Sequence, residues 1–210
     1  MMAQTETKPA IRKGRKFDQV LEGARKVFLR DGFEGASVDD IAREAGVSKA
    51  TLYSYFPDKK LLFLEVAKGE CARQADEAGE LLAGGAPPRD VLRFAGGRIV
   101  EFMSSDFGFG FFRICVAEGD RFPQLGTEFY QAGPLLLRNR LVSYLKCAVE
   151  RGELAIEDFD LAADQFVELC KADIHARMIF GVTECCSARH IKRTVDGAVE
   201  MFLARYGAKG

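Results

Sequence analysis

The chain has 210 residues, 48% of them hydrophobic and 29% charged, with a net charge of −1. That length buries the core of one or two domains, and the balance is that of a globular protein rather than a disordered or fibrous one. No apolar run reaches the ~20 residues of a bilayer-spanning helix, and the start Met1-Met2-Ala3-Gln4-Thr5-Glu6 lacks the basic-then-apolar order of a secretory signal; a cytoplasmic protein with no membrane partner is expected.

The near-neutral total hides an uneven distribution. Residues 1–60 hold 12 Lys+Arg against 9 Asp+Glu, whereas residues 61–210 hold 18 against 22. Lys8, Arg12, Lys13, Arg15 and Lys16 crowd the N-terminal stretch. A basic arm beside a reading head is an electrostatic footprint for nucleic acid; an ordinary solvated tail has the same composition. Residues 1–13 are expected to be that flexible arm.

The first helix is expected over Arg15–Asp31, where Phe17, Val20, Leu21, Ala24, Val27 and Phe28 form one apolar stripe, with Gly32 ending it. Residues 37–56 then read as a helix-turn-helix. Ser37 caps a first short helix and Ser48 a second. Ala42 is small enough for close approach, and Gly46 tolerates the positive φ of the turn. Ile41, Ala45, Val47, Leu52 and Tyr55 fall inward. Lys49, Ala50, Thr51, Tyr53 and Ser54 fall outward on the second helix, a cationic, hydroxyl-bearing face suited to a DNA groove. A tight helix pair in any α-helical core produces part of this pattern.

A further helix is expected from Pro57-Asp58 to about Leu82, apolar at its start through Leu61–Leu64. Gly84-Gly85-Ala86-Pro87-Pro88 punctuates the chain, and a helix to about Met103 follows. Ser104–Gly110 is expected to break the helix, with a short helix over Phe111–Glu118. Long helices are expected from Phe122-Pro123 to Arg151-Gly152, over Phe159–Phe180 and over Ala188–Tyr206. The last two are amphipathic; an intrachain core and a dimer interface explain their apolar faces equally well.

The run SVDDIAREAGVSKATLYSYFPDKKLLF resembles the N-terminal domain of the TetR/AcrR family of transcriptional regulators. The likeness rests on the helix-turn-helix, on Leu52-Tyr53-x-Tyr55-Phe56 and on the Lys60-x-x-Phe63 start of the next helix; Ala50 stands where many members have Gly. It implies an all-α fold: a three-helix DNA-binding domain over 14–65, then a helical ligand-binding and dimerisation domain over 66–210. The DNA-contacting set it implies is Ser37, Ser48, Lys49, Ala50, Thr51, Tyr53, Ser54, Tyr55, Lys59 and Lys60, on a palindromic double-stranded operator bound by a homodimer. The stretches FRICVAEGDRFP and FYQAGP resemble one C-terminal domain type of this family, whose members often repress multidrug efflux genes.

Aromatic residues are frequent in the second half. Phe102, Met103, Phe107, Phe111, Phe129 and Tyr130, with His175 as a polar group, are the candidate lining of a site for a small hydrophobic effector, although each alone reads equally as core. The glycine-flanked Phe107 and Phe109 are expected to form a movable gate, and an effector there to tilt the helix that follows the reading head. Six cysteines, Cys71, Cys115, Cys147, Cys170, Cys185 and Cys186, lack metal-ligand spacing, and His175 and His190 are the chain's histidines; no metal or cofactor is expected. No nucleophile elbow, phosphate loop or Cys–His pair indicates an enzyme. The reading is a ligand-released repressor. The alternatives are a redox-responsive regulator acting through Cys185 and Cys186, an enzyme using the C-terminal cavity, and an interaction adaptor.

Overall fold

The computed structural model describes residues 14–82, 85–119, 123–182 and 187–208. Regular structure among them is helical: α1 (Arg15–Gly35), α2 (Val38–Ala45), α3 (Lys49–Tyr55), α4 (Lys59–Leu82), α5 (Pro88–Ser104), α6 (Asp106–Glu118), α7 (Pro123–Ala132), α8 (Pro134–Glu150), α9 (Phe159–Lys171), α10 (His175–Ile179) and α11 (Ala188–Tyr206). The chain divides into two compact units between Val66 and Ala67.

In the first unit the stripe of α1 buries Phe17, Val20, Ala24, Val27 and Phe28. Phe28 meets Phe63 edge-on at 4.8 Å, Phe33 lies 5.1 Å from Phe63, and Phe17 stacks on Phe56 at 5.4 Å. These rings fasten the start of α4 and the end of α3 to α1, a large apolar contribution for so small a unit. Gly32 interrupts the helix where its end is expected: its backbone is non-helical (φ 68°, ψ −176°), and a short helical segment resumes beyond the kink to Gly35.

In the second unit α5, α8, α9 and α11 share a core that includes Leu92, Leu145, Ala162, Phe166, Val199 and Phe202. The chain end is tied down where Leu154 and Gly207 form an antiparallel bridge: the Ala155 N–H donates to the Tyr206 carbonyl at 2.8 Å and the Ala208 N–H to the Glu153 carbonyl at 3.1 Å.

Three expected elements differ. The break over Ser104–Gly110 shrinks to one residue, because the Ser105 hydroxyl accepts from the Gly108 N–H at 3.0 Å and caps α6 at once. The single helix expected from Phe122-Pro123 to Arg151 is two, α7 and α8. Pro134 has no N–H and disfavours helical backbone at Gly133, which takes φ −116° and ψ −86°. The helix expected over Phe159–Phe180 is split into α9 and α10 at residues 172–174. There Asp173 adopts φ 63°, a conformation open to Asp through local polar contacts, and accepts from His190 Nε2 at 3.1 Å.

Candidate nucleic-acid interface

Both short helices of the first unit are capped from within. The Asp40 N–H donates to Ser37 Oγ at 3.0 Å, and Ser37 Oγ donates back to the Asp40 carboxylate at 2.5 Å. That hydroxyl above all, with help from the Arg43 guanidinium, holds the Asp40 carboxyl below the usual carboxylate range against the opposing effect of desolvation. At the other end of α2, Gly46 takes φ 64°; its N–H donates to the Arg43 carbonyl at 3.2 Å and the Val47 N–H to the Ala42 carbonyl at 3.0 Å. This is the paired terminal bonding that closes a helix with a left-handed residue. Ser48 restarts the chain as a helix, its Oγ accepting from the Thr51 N–H at 3.1 Å and lying 2.9 Å from Thr51 Oγ1.

Those caps fix the rotation of α3 about its own axis. Leu52 is buried, 1% exposed, whereas Tyr53 beside it is 48% exposed. Lys49, Ala50 and Ser54 are also exposed, and Thr51 is half-buried with its hydroxyl turned to Ser48. Ser54 Oγ donates to the Thr51 carbonyl at 2.6 Å. Lys49 is ion-paired with Asp39 in the first turn of α2. The outcome is a short helix with one anchored face and one open face carrying an ammonium, a phenol and a methyl.

The remaining candidates have other contacts. Tyr55 is half-buried, its ring edge-on to Phe17 at 5.7 Å. Lys59 Nζ donates to the carbonyls of Phe33 at 2.8 Å and Ala36 at 3.0 Å and sits 4.3 Å from the centre of the Phe33 ring; its ammonium closes the end of α1. The Lys60 N–H donates to the Asp58 carboxylate at 2.8 Å, starting α4, and its side chain is half-buried. The arm, residues 1–13, lies outside the described residues.

Gly23 is a position that sequence reasoning passed over. A Cβ there would lie 2.6 Å from the Ala45 nitrogen and 2.7 Å from its Cα, so the backbones of α1 and α2 touch where neither has a side chain to spare. The signal was present as small residues facing each other, but only the pairing of the helices reveals it. An open groove of about 640 Å³ beside this contact is lined by Arg15, Asp18, Gln19, Glu22, Lys26 and Glu44, with Lys26 Nζ 3.2 Å from Glu44. Its charged walls are unlike the apolar site expected for an effector.

In the second unit, the structure pairs the candidate effector-site aromatics. Phe111 meets Phe129 edge-on at 4.7 Å and Phe102 lies 6.4 Å from Phe107. Met103 is half-buried against the core, and Tyr130 is 49% exposed. The expected gate is corrected: Phe107 is buried in the first turn of α6, and Phe109 lies in the same helix, because the Ser105 cap extends the helix through both glycines. His175 opens α10 with its ring 5.0 Å from that of Phe112; burial first, then Lys171, lowers its pKa, with Glu168 opposing.

Burial pushes the thiols of Cys71 and Cys170 up to about 12 and that of Cys115 to about 11, far from the thiolate needed for reactivity. Cys185 and Cys186 lie outside the described residues. Among the described residues no three His, Cys, Asp or Glu side chains gather as a metal site, and no helix is long and apolar enough to cross a membrane.

Comparison with known proteins bears on both units. Residues 20–66 match the family described as bacterial regulatory proteins, tetR family, and residues 90–208 match the AefR-like transcriptional repressor C-terminal domain. The repressor AcnR of Corynebacterium efficiens is 39% identical over 62 residues, 30% of this chain and 33% of AcnR; the chain thus spans about a third of that relative's length. The HTH-type regulator YhgD of Bacillus subtilis is 24% identical over 188 residues, 89% of this chain and 93% of YhgD. Among solved structures, a TetR-family regulator from Mesorhizobium loti aligns with a TM-score of 0.78 at 28% identity, covering 92% of this chain and 97% of its own. The flavonoid-responsive regulator FrrA aligns at 0.63 and 31%, covering 94% of this chain and all of its own.

Proposed function

The chain belongs to the TetR family of bacterial regulatory proteins and is a helix-turn-helix transcriptional regulator; from that premise we propose that it is a homodimeric repressor that reads a palindromic operator through α3 and is released by a small hydrophobic effector bound in its second unit. The observation that carries this reading is the open face of α3. Lys49, Ala50 and Tyr53 project from a helix whose other side is pinned by Leu52 and whose start is pinned by Ser48. Recognition helices present their first turns to base edges in this way. Tyr55, Lys59 and Lys60 then act chiefly by fixing that helix, and residues 1–13 supply cationic contacts to phosphates.

Two further observations support the other parts. Met201 of α11 and Leu161 of α9 are 62% and 50% exposed, apolar surface that a second copy would cover. A dimer also gives the twofold symmetry that a palindromic site demands. The relative FrrA is named as flavonoid-responsive, and an apolar aromatic effector of that kind suits the neighbourhood of Phe111 and Phe129. Such an effector acts only if it prefers the geometry that does not fit DNA; a changed separation of the two heads, transmitted along α4, is the mechanism proposed. The relatives do not support a redox-responsive reading.

Selecting bound fragments from the source genome with the purified protein tests this directly. Expected is enrichment of a small set of palindromic sites, with footprints of two half-sites about 34–36 Å apart or a multiple of it. No enrichment over random fragments would refute the reading.

A further inference from the structure

Lys49 is the first residue of α3. A cation there opposes the positive end of the helix dipole, so the position is unfavourable for the helix itself. In the first turn of α2, Asp39 faces it and forms an ion pair with it. Asp39 has no part in capping its own helix: the Ser37 cap and the Arg43 pair both use Asp40. The Lys49 and Asp39 side chains are more than half exposed, at 56% and 63%, and an exposed pair of this kind opens easily.

We propose that Asp39 sets the DNA selectivity of the reading head by holding Lys49 against α2 until a specific site draws it away. Phosphates are present on every duplex, and a free lysine gains affinity from any of them by releasing counterions. A carboxylate within reach competes with such sequence-independent contacts. A correctly placed base acceptor, such as guanine O6 or N7, is met only at a specific site, where the rest of the interface positions the lysine in the groove. Asp39 therefore weakens random binding more than operator binding. This rests on the reading that α3 enters DNA.

The test compares wild type, Asp39→Asn, Lys49→Ala and the double variant by fluorescence anisotropy over a range of salt. The probes are a genomic fragment selected by the wild-type protein and a mixed-sequence duplex of equal length. Expected for Asp39→Asn is several-fold tighter binding to the mixed duplex, a smaller gain on the selected fragment, and a salt dependence steeper by about 0.9 for each lysine freed. Asp39→Ser should behave alike, and thermal melts confirm that both variants are folded. In the Lys49→Ala background these gains should vanish. A gain that persists there shows that Asp39 merely repels phosphate, and an unchanged mixed-duplex affinity in Asp39→Asn also overturns the proposal. Wild-type protein that enriches no fragment removes the DNA-reading premise itself, an outcome distinct from normal wild-type binding with an inert Asp39.

Discussion

Leu52 and Tyr53 are adjacent in α3, and the structure gives them opposite surroundings, 1% and 48% exposed. Truncating them should separate stability from recognition. Leu52→Ala opens a cavity in the first unit and should lower unfolding free energy by about 2–5 kcal/mol, read from denaturant titration. Tyr53→Ala should leave the melt unchanged and weaken operator binding. Ser37, Gly46 and Ser48 were legible in the sequence because caps and left-handed turns are local rules, complete within a few residues. The contacts of Lys59 with Phe33 and Ala36, and of Lys49 with Asp39, were not, since they join residues brought close only by folding. His175 carries a pH signature. Burial lowers its folded pKa, so its contribution to stability is present above the unfolded value of about 6.5 and is lost as pH falls through the lower folded value. His175→Gln should flatten that part of the pH–stability curve; a curve identical to wild type would show that His175 is not its source.

The helices themselves were legible from apolar periodicity, and their interruptions less so. Gly133-Pro134 is a local breaker, masked by the apolar pattern that continues on either side of it. At the break, Asp173 accepts from His190, seventeen residues away, and no apolar pattern announces it. The early start of α6 follows from one hydroxyl, Ser105, overriding two glycines that read as a loop. Packing between α1 and α2 is set by Gly23 against the Ala45 backbone, where an added Cβ would be 2.6 Å from nitrogen. Gly23→Ala should therefore push α2 outward, cost about 1–3 kcal/mol as overpacking does, and weaken operator binding because α3 is carried with α2. A melt and affinity equal to wild type would mean that the two helices slide apart freely.

For the whole molecule, the proposed function requires two heads at a fixed spacing and a cationic arm on each. Met201→Glu should convert a dimer of twice the 23.2 kDa chain mass into monomer in sedimentation, with loss of operator affinity; a variant that remains dimeric would place the interface elsewhere. Removing residues 1–13 takes away Lys8, Arg12 and Lys13. The log–log salt slope should fall by about 0.9 for each phosphate that each protomer no longer neutralises, and an unchanged slope would identify the arm as a solvated tail. The all-α architecture with its helix-turn-helix was legible because that motif is compact in sequence. The proposed effector site was less so, since single aromatic residues such as Phe107 look alike in core and in pocket. The most direct test of the central claim is the operator affinity of Lys49→Ala/Tyr53→Ala, measured by anisotropy on a selected genomic fragment alongside its thermal melt. With each base contact worth about 1–3 kcal/mol, a folded double variant should bind at least about tenfold more weakly; wild-type affinity in that folded variant would contradict the assignment of α3 as the reading helix.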